Sequence, residues 1–186
     1  MSKYICNYMM INLKNQSLKV QFSNQCQTED VRLLARLLRQ NKICRTFIFF
    51  GYDIPINYQD LLLGLKETTE LTTLVLHHFM NIEVLNEILT SNCSPSRIKL
   101  SHCFNLSSTL FGLCQAVGQI ENLVDLDIMD NTCIDDKAAT IELLTVLRKH
   151  KTIKNVRLHV FNIQPSNENE TCLITSLLQD SFISHL

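Results

Sequence analysis

The sequence predicts an α/β fold in which short parallel strands alternate with helices in stacked, repeated units. Three observations predict it. Two stretches, Leu71–Leu89 and Pro95–Leu113, align at one constant offset of 24 positions: Leu74 falls on Ile98, Leu76 on Leu100, His78 on His102, Asn81 on Asn105 and Ile82 on Leu106. The same apolar spacing recurs in six places along the chain. Between those places the hydrophobic period changes from two to about 3.6, the change from strand to helix.

The repeated template is apolar, two free, apolar, one free, apolar, two free, then Asn, Cys or a small residue. In order, it fits Leu18 and Val20 with Cys26, and Ile43, Thr46, Ile48, Gly51 and Ile54. It continues through Leu74 and Leu76, Ile98 and Leu100, then Leu123, Leu126, Ile128, Asn131 and Ile134, then Ile153, Val156, Leu158 and Ile163. The first inward position of each strand is therefore expected at 18, 46, 74, 98, 126 and 156, spaced by 28, 28, 24, 28 and 30. Thr46 is the one polar member of that series. In the closing SFISHL, Ile183 and Leu186 stand where a seventh strand would begin, near 186.

Helices are expected between the strands. Val31, Leu34, Ala35 and Leu38 share one helical face, with Thr28 placed to cap its start. Ile134, Ala138, Ile141, Leu144 and Leu147, or a close variant, make another. Asp135 and Asp136 at its beginning and Arg148, Lys149 and His150 at its end suit the helix dipole. NYQDLLLGLKE, EVLNEILTSN, SSTLFGLCQAVG and NENETCLITSLLQD supply the rest.

Composition bounds the function. The chain has 186 residues, 46% of them hydrophobic, enough for one domain with a core. Its net charge of -1 argues against nucleic acid or an anionic membrane as the main partner, since both are met by a basic excess. No apolar run approaches the roughly 18–20 residues that cross a bilayer. The eight cysteines form no C-x-x-C pair, and the N-terminus lacks a small-residue cleavage site, so reduced thiols in an intracellular, cytoplasmic protein are expected.

LTTLVLHHFMNI, SRIKLSHCFNL and LVDLDIMDNTCI resemble the motif L-x-x-L-x-L-x-x-[NC]-x-[LI] of the leucine-rich repeat family. Periods near 28 with helical segments resemble its ribonuclease-inhibitor-like class, which includes repeat domains of cytoplasmic immune receptors, tropomodulin-type proteins and Ran GTPase-activating proteins. The resemblance implies a right-handed solenoid, a curved horseshoe segment of about six repeats over residues 15–186, preceded by a capping segment at 1–14. Parallel strands would line the concave face and helices the convex one. The chain departs from the motif at Gly51, Phe79 and Phe161, which replace the usual Asn or Cys. Asn131 and Cys103 are expected to hydrogen-bond or pack inside their turns.

Side chains alternate across a strand, so the inward positions fix the outward ones. Phe47, Phe49 and Val75 are then expected to form an apolar cluster on the strand face, beside His77. Arg97 and Lys99 would face Asp125 and Asp127 on the next strand, with Arg157 and His159 beyond. RTFIFFGY is apolar on both faces, so a one-residue slip would instead bury the two phenylalanines. These positions point to a non-catalytic module that binds a protein partner through its strand face. A structural subunit docked through an uncapped C-terminal edge, self-associated end to end, and a regulator of a small GTPase are the alternatives. No Gly-rich phosphate loop, G-x-S-x-G or H-E-x-x-H occurs. His77, His78, His102 and Cys103 are not joined by the short ligand spacing of a structural zinc site, so no metal or cofactor is expected.

Overall fold

Alternation of apolar and polar residues over four to six positions produces strands with one buried face, and that alternation recurs along the chain. The computed structural model describes residues 2–6, 9–14, 16–22, 26–40, 44–51, 58–78, 82–91, 95–103, 107–129, 137–158, 167–179 and 183–185. Among these, the strands are β1 (Ser2–Cys6), β2 (Met9–Lys14), β3 (Ser17–Phe22), β4 (Thr46–Phe50), β5 (Thr73–His77), β6 (Arg97–Ser101), β7 (Asp125–Met129), β8 (Asn155–Leu158) and β9 (Ile183–His185). The helices are α1 (Thr28–Gln40), α2 (Tyr58–Lys66), α3 (Ile82–Leu89), α4 (Ser107–Gln119), α5 (Lys137–Lys149) and α6 (Glu168–Gln179). All the strands join one sheet in sequence order. Helices alternate with strands from β3 onward, and each helix packs on the next. This is an α/β fold. Among the described residues no helix is long and apolar enough to cross a membrane.

The inward residues line up in register across the sheet. Leu18 pairs with Phe47, Phe47 with Leu74, Leu74 with Ile98, Ile98 with Leu126 and Leu126 with Val156. A second row runs Val20, Phe49, Leu76, Leu100, Ile128 and Leu158. Every member of both rows is buried. Against them pack Val31, Leu34 and Leu38 of α1, Leu61 and Leu65 of α2, Leu85, Ile88 and Leu89 of α3, Leu110, Leu113 and Val117 of α4, and Leu143, Leu144 and Leu147 of α5. One continuous interior results, and complete burial of each such aliphatic side chain stabilises by about 1.5–3 kcal/mol.

Backbone hydrogen bonds repeat from strand to strand. The carbonyls of Gln16, Arg45, Ser96 and Val124 each accept two N–H groups from the start of the next strand, as in Lys154 and Asn155 onto Val124 at 2.8 and 3.1 Å. Hydroxyls reinforce these links: Thr72 donates to Arg45 O at 3.0 Å, Ser96 to Thr72 O at 3.3 Å and Thr152 to Leu123 O at 2.8 Å. Cys103, as expected, is buried in its turn, its thiol against Leu76 O and Ser101 O at 3.4 and 3.3 Å. Asn131, Phe79, Phe161 and the Asp135–Asp136 pair lie outside the described residues.

Four details differ from the sequence reading. The largest is β4, whose register is shifted by one. Phe47 and Phe49 are 0% exposed, while Thr46, Ile48 and Phe50 face outward. Volume decides this: two phenyl rings fill the interior better than a Thr and an Ile. Phe22 of β3 supplies an edge-on partner for Phe49, with centroids 5.4 Å apart. Gly51 supplies the room, since a Cβ there would stand 2.6 Å from Phe49 Cε1. At α1, Thr28 is inside the helix. The cap is Gln27, whose N–H donates to Asp30 Oδ2 at 2.9 Å, the back-bonding half of a capping box. The buried face of α5 uses Ala139 and Leu143 in place of Ala138 and Ile141. In β9 it is Ile183 that pairs with Val156, three positions before the expected Leu186, which lies outside the described residues. Residues 2–6 and 9–14 extend the sheet, β1 antiparallel to β2 and β2 antiparallel to β3.

The β4 register is testable by stability. Phe49→Ala should lose about 3–5 kcal/mol, whereas Phe50→Ala, which removes a half-buried ring stacked on His77 and lying under Lys19, should lose about 1–2 kcal/mol. Urea unfolding followed by far-UV circular dichroism measures both. The reverse ranking would put the phenylalanines back on the outer face.

Candidate functional site

The registers that align the core also align the residues pointing away from it. They form three rows on the open face of the sheet. The first is Ser17, Thr46, Thr73, Arg97, Asp125 and Asn155. The second is Lys19, Ile48, Val75, Lys99, Asp127 and Arg157. The third is Gln21, Phe50, His77, Ser101 and Met129. Neighbouring strands lie about 4.8 Å apart, so adjacent members of a row are within side-chain reach.

On β6, β7 and β8 the rows become a lattice of ion pairs. Arg97 Nε meets Asp125 Oδ2 at 2.9 Å. Asn155 Nδ2 donates to the other oxygen of Asp125. Asp127 Oδ2 lies 3.4 Å from Lys99 Nζ and 3.7 Å from Arg157 Nη1. Exposure separates the two signs. The Arg97 and Arg157 side chains are 66% and 55% exposed, and Lys99 is 37% exposed, while Asp125 and Asp127 are 28% and 15% exposed. Carboxylates therefore form the floor and cations the rim. Asp127 Oδ1 is buried and accepts no hydrogen bond from a described residue, and the two flanking cations offset the cost of desolvating that carboxylate. Val75, Arg97, Lys99, Asp127 and Arg157 are among the residues lining a depression of about 360 Å³ here.

On β4 and β5 the face turns apolar and aromatic. Ile48 and Val75 are neighbours in the second row, both half-buried. The Phe50 and His77 rings stack, centroids 4.4 Å apart and nearly parallel at 3°. Lys19 Nζ lies 4.9 Å over the Phe50 ring, within cation–π range. Just past β5 and β6, His78 and His102 hold left-handed backbone at φ 55° and 53°, and their rings stack at 4.7 Å. The matched histidines of the two aligned stretches thus occupy equivalent corners after successive strands. Among the described residues, no three His, Cys, Asp or Glu side chains gather in a way that could hold a metal ion.

Of the residues expected on this face, Val75, His77, Arg97, Lys99, Asp125, Asp127 and Arg157 are there and adjoin one another. Phe47 and Phe49 are not, being in the core for the reason given above. His159 lies outside the described residues. Ile48 and Phe50 take the apolar role. The signal for them was Gly51, whose missing side chain marks where an inward ring must fit.

Burial lowers the His77 pKa from its ordinary 6.5, and Lys99, His78, His102 and Lys19 lower it further. The imidazole is thus harder to protonate in the folded chain than in the unfolded one. Its contribution to stability is complete above pH 6.5 and is lost as pH falls from there through the folded value. A melting series from pH 7.5 to 5 should show a falling Tm that His77→Gln flattens, and an unchanged slope in that variant would remove His77 as the cause.

Comparison of the chain with protein-family models, with curated proteins and with solved structures finds no match.

Proposed function

We propose that this chain is a non-catalytic interaction module of the leucine-rich-repeat kind, a right-handed solenoid that binds a protein partner through the outward residues of its strands. Identical register across successive coils and the rule that strand–helix–strand crossovers are right-handed support the architecture. The observation that carries the function is the composition of the open face. Half-buried Ile48, Phe50 and Val75 adjoin a depression rimmed by Arg97, Lys99 and Arg157. An apolar centre with a charged border is the anatomy of a protein interface. Asp125 is tied to Arg97 and Asn155, and Asp127 to Lys99 and Arg157, on the flanking strands, as in a fixed charge lattice and unlike a proton-shuttling pair.

Contrast this with the helix layer. Arg32–Asp60, Arg39–Glu67 and Lys66–Glu87 pair at 3.3, 3.3 and 3.1 Å between successive helix segments. Apart from Asp60, their side chains are well exposed, and exposed pairs of this kind are screened by solvent and contribute little. Among the described residues the large apolar side chains exposed on this surface, Leu63 on α2 and Phe111 on α4, stand on separate helices with α3 between them.

Quantitative affinity capture with wild type and two variants tests the proposal. Val75→Asp places a charge at the centre of the open face, and Arg36→Glu alters the helix layer. Proteins retained by wild type and by Arg36→Glu should fall about tenfold or more with Val75→Asp, while the melting curves of all three coincide. Equal retention by Val75→Asp, or nothing retained specifically by wild type, would contradict the proposal.

A further inference from the structure

The open face is more basic than the chain that carries it. Strands β3 to β8 present four cations outward, Lys19, Arg97, Lys99 and Arg157, against two carboxylates, Asp125 and Asp127, an excess of two positive charges. The whole chain carries a net charge of -1, so positive charge is concentrated on this side. Height amplifies the effect: the carboxylates are the least exposed members of the lattice and the cations the most exposed. Arg97 and Arg157 each carry five N–H donors, more than one shared carboxylate oxygen can accept.

The geometry points to an occupant: an extended, acidic segment of a protein, laid across the strands, with carboxylates against the rim and an apolar side chain on Ile48 and Val75. This rests on the interaction reading above and adds the partner's chemistry to it. Spacing makes the inference specific. Lys99 and Arg157 flank β7 and converge on the same Asp127 oxygen, so their charged ends stand no more than about 7 Å apart, the span of two residues in an extended chain. The middle of the Ile48–Val75 pair lies about 7 Å before Lys99, again the span of two residues, and residues two apart share one face of such a chain. The fitting segment therefore reads apolar, one free, acidic, one free, acidic. A carboxylate meeting Lys99 and Arg157 would share the cations that now serve Asp127, forming charge-assisted bonds at the rim without burying an unpaired charge.

Panning a library of random twelve-residue peptides on the immobilised full chain tests this. A pool of random single-stranded oligonucleotides is panned in parallel. Retained peptides should be enriched at least about threefold in Asp and Glu over the input, with two acidic residues two positions apart and an apolar residue two positions before the first. Raising the salt to about 0.5 M should release most of them, because the rim is solvent-exposed. Lys99→Glu with Arg157→Glu should invert the selection toward basic peptides, and Arg36→Glu with Arg39→Glu on the helix layer should leave it unchanged. The salt series needs no variant, so it decides the matter even if the double substitution unfolds the chain. Apolar or basic peptides retained in a Val75-dependent way would overturn the acidic occupant and leave the interaction reading standing. Selection indifferent to Val75→Asp and to the rim charges would overturn both. Preferential retention of oligonucleotides would replace the protein segment with nucleic acid.

Discussion

Every feature of this molecule depends on one constraint: a single strand–helix unit cannot bury its own apolar side. Leu74 and Leu76 on β5 have nothing in their own strand–helix unit that could enclose them completely. They are buried because Phe47 and Phe49 stand on one side and Ile98 and Leu100 on the other, in register, with the helices behind. Stability is therefore shared between neighbours. The backbone obeys the same rule, with the carbonyl before one strand holding the N–H groups that open the next. A Cβ added at Gly64 would come within 2.9 Å of the Ala35 Cα, which shows how closely α2 approaches α1.

Function follows from the same alternation. If Ile98, Leu126 and Val156 are stacked inward, then Lys99, Asp127 and Arg157, one position later in each strand, must be stacked outward. The charge lattice is thus a by-product of the core register, and it is held in place by it. The lattice residues sit on strands, not on loops, so their spacing is as fixed as the sheet. That rigidity is what gives a distance argument about the partner its force: a surface whose charges are held at a fixed span selects ligands whose charges match that span.

Most of the fold was legible because the inward residues of β3, β5, β6, β7 and β8 are aliphatic save Phe22, and their outward neighbours, Val75 and Met129 apart, are polar or charged. Such a pattern allows one register. Thr46 to Phe50 in β4 allows two, since apolar residues stand on both faces. What chooses between them is volume and the neighbouring strand, Phe22 on one side and the empty position at Gly51 on the other. Neither is a property of the strand's own pattern, so the two aromatic residues expected at the interface were exchanged for Ile48 and Phe50. The charged half of the site was legible for the opposite reason. Arg97, Lys99, Asp125, Asp127 and Arg157 cannot be buried, and their strands carry unambiguous aliphatic partners. The antiparallel pair of β1 and β2 was not legible, because its MSKYICNYMMINLKN stretch carries apolar residues without a regular alternation.

The stacked aliphatic rows are observable directly by methyl-resolved nuclear Overhauser spectroscopy on isotope-labelled protein. Cross-peaks should connect Leu74 with Ile98, Ile98 with Leu126 and Leu126 with Val156, and the Phe47 ring should contact both Leu18 and Leu74. Methyl groups of those residues without mutual contacts, or Thr46 and Ile48 occupying the places assigned to Phe47 and Phe49, would contradict the shared interior and the open face built upon it.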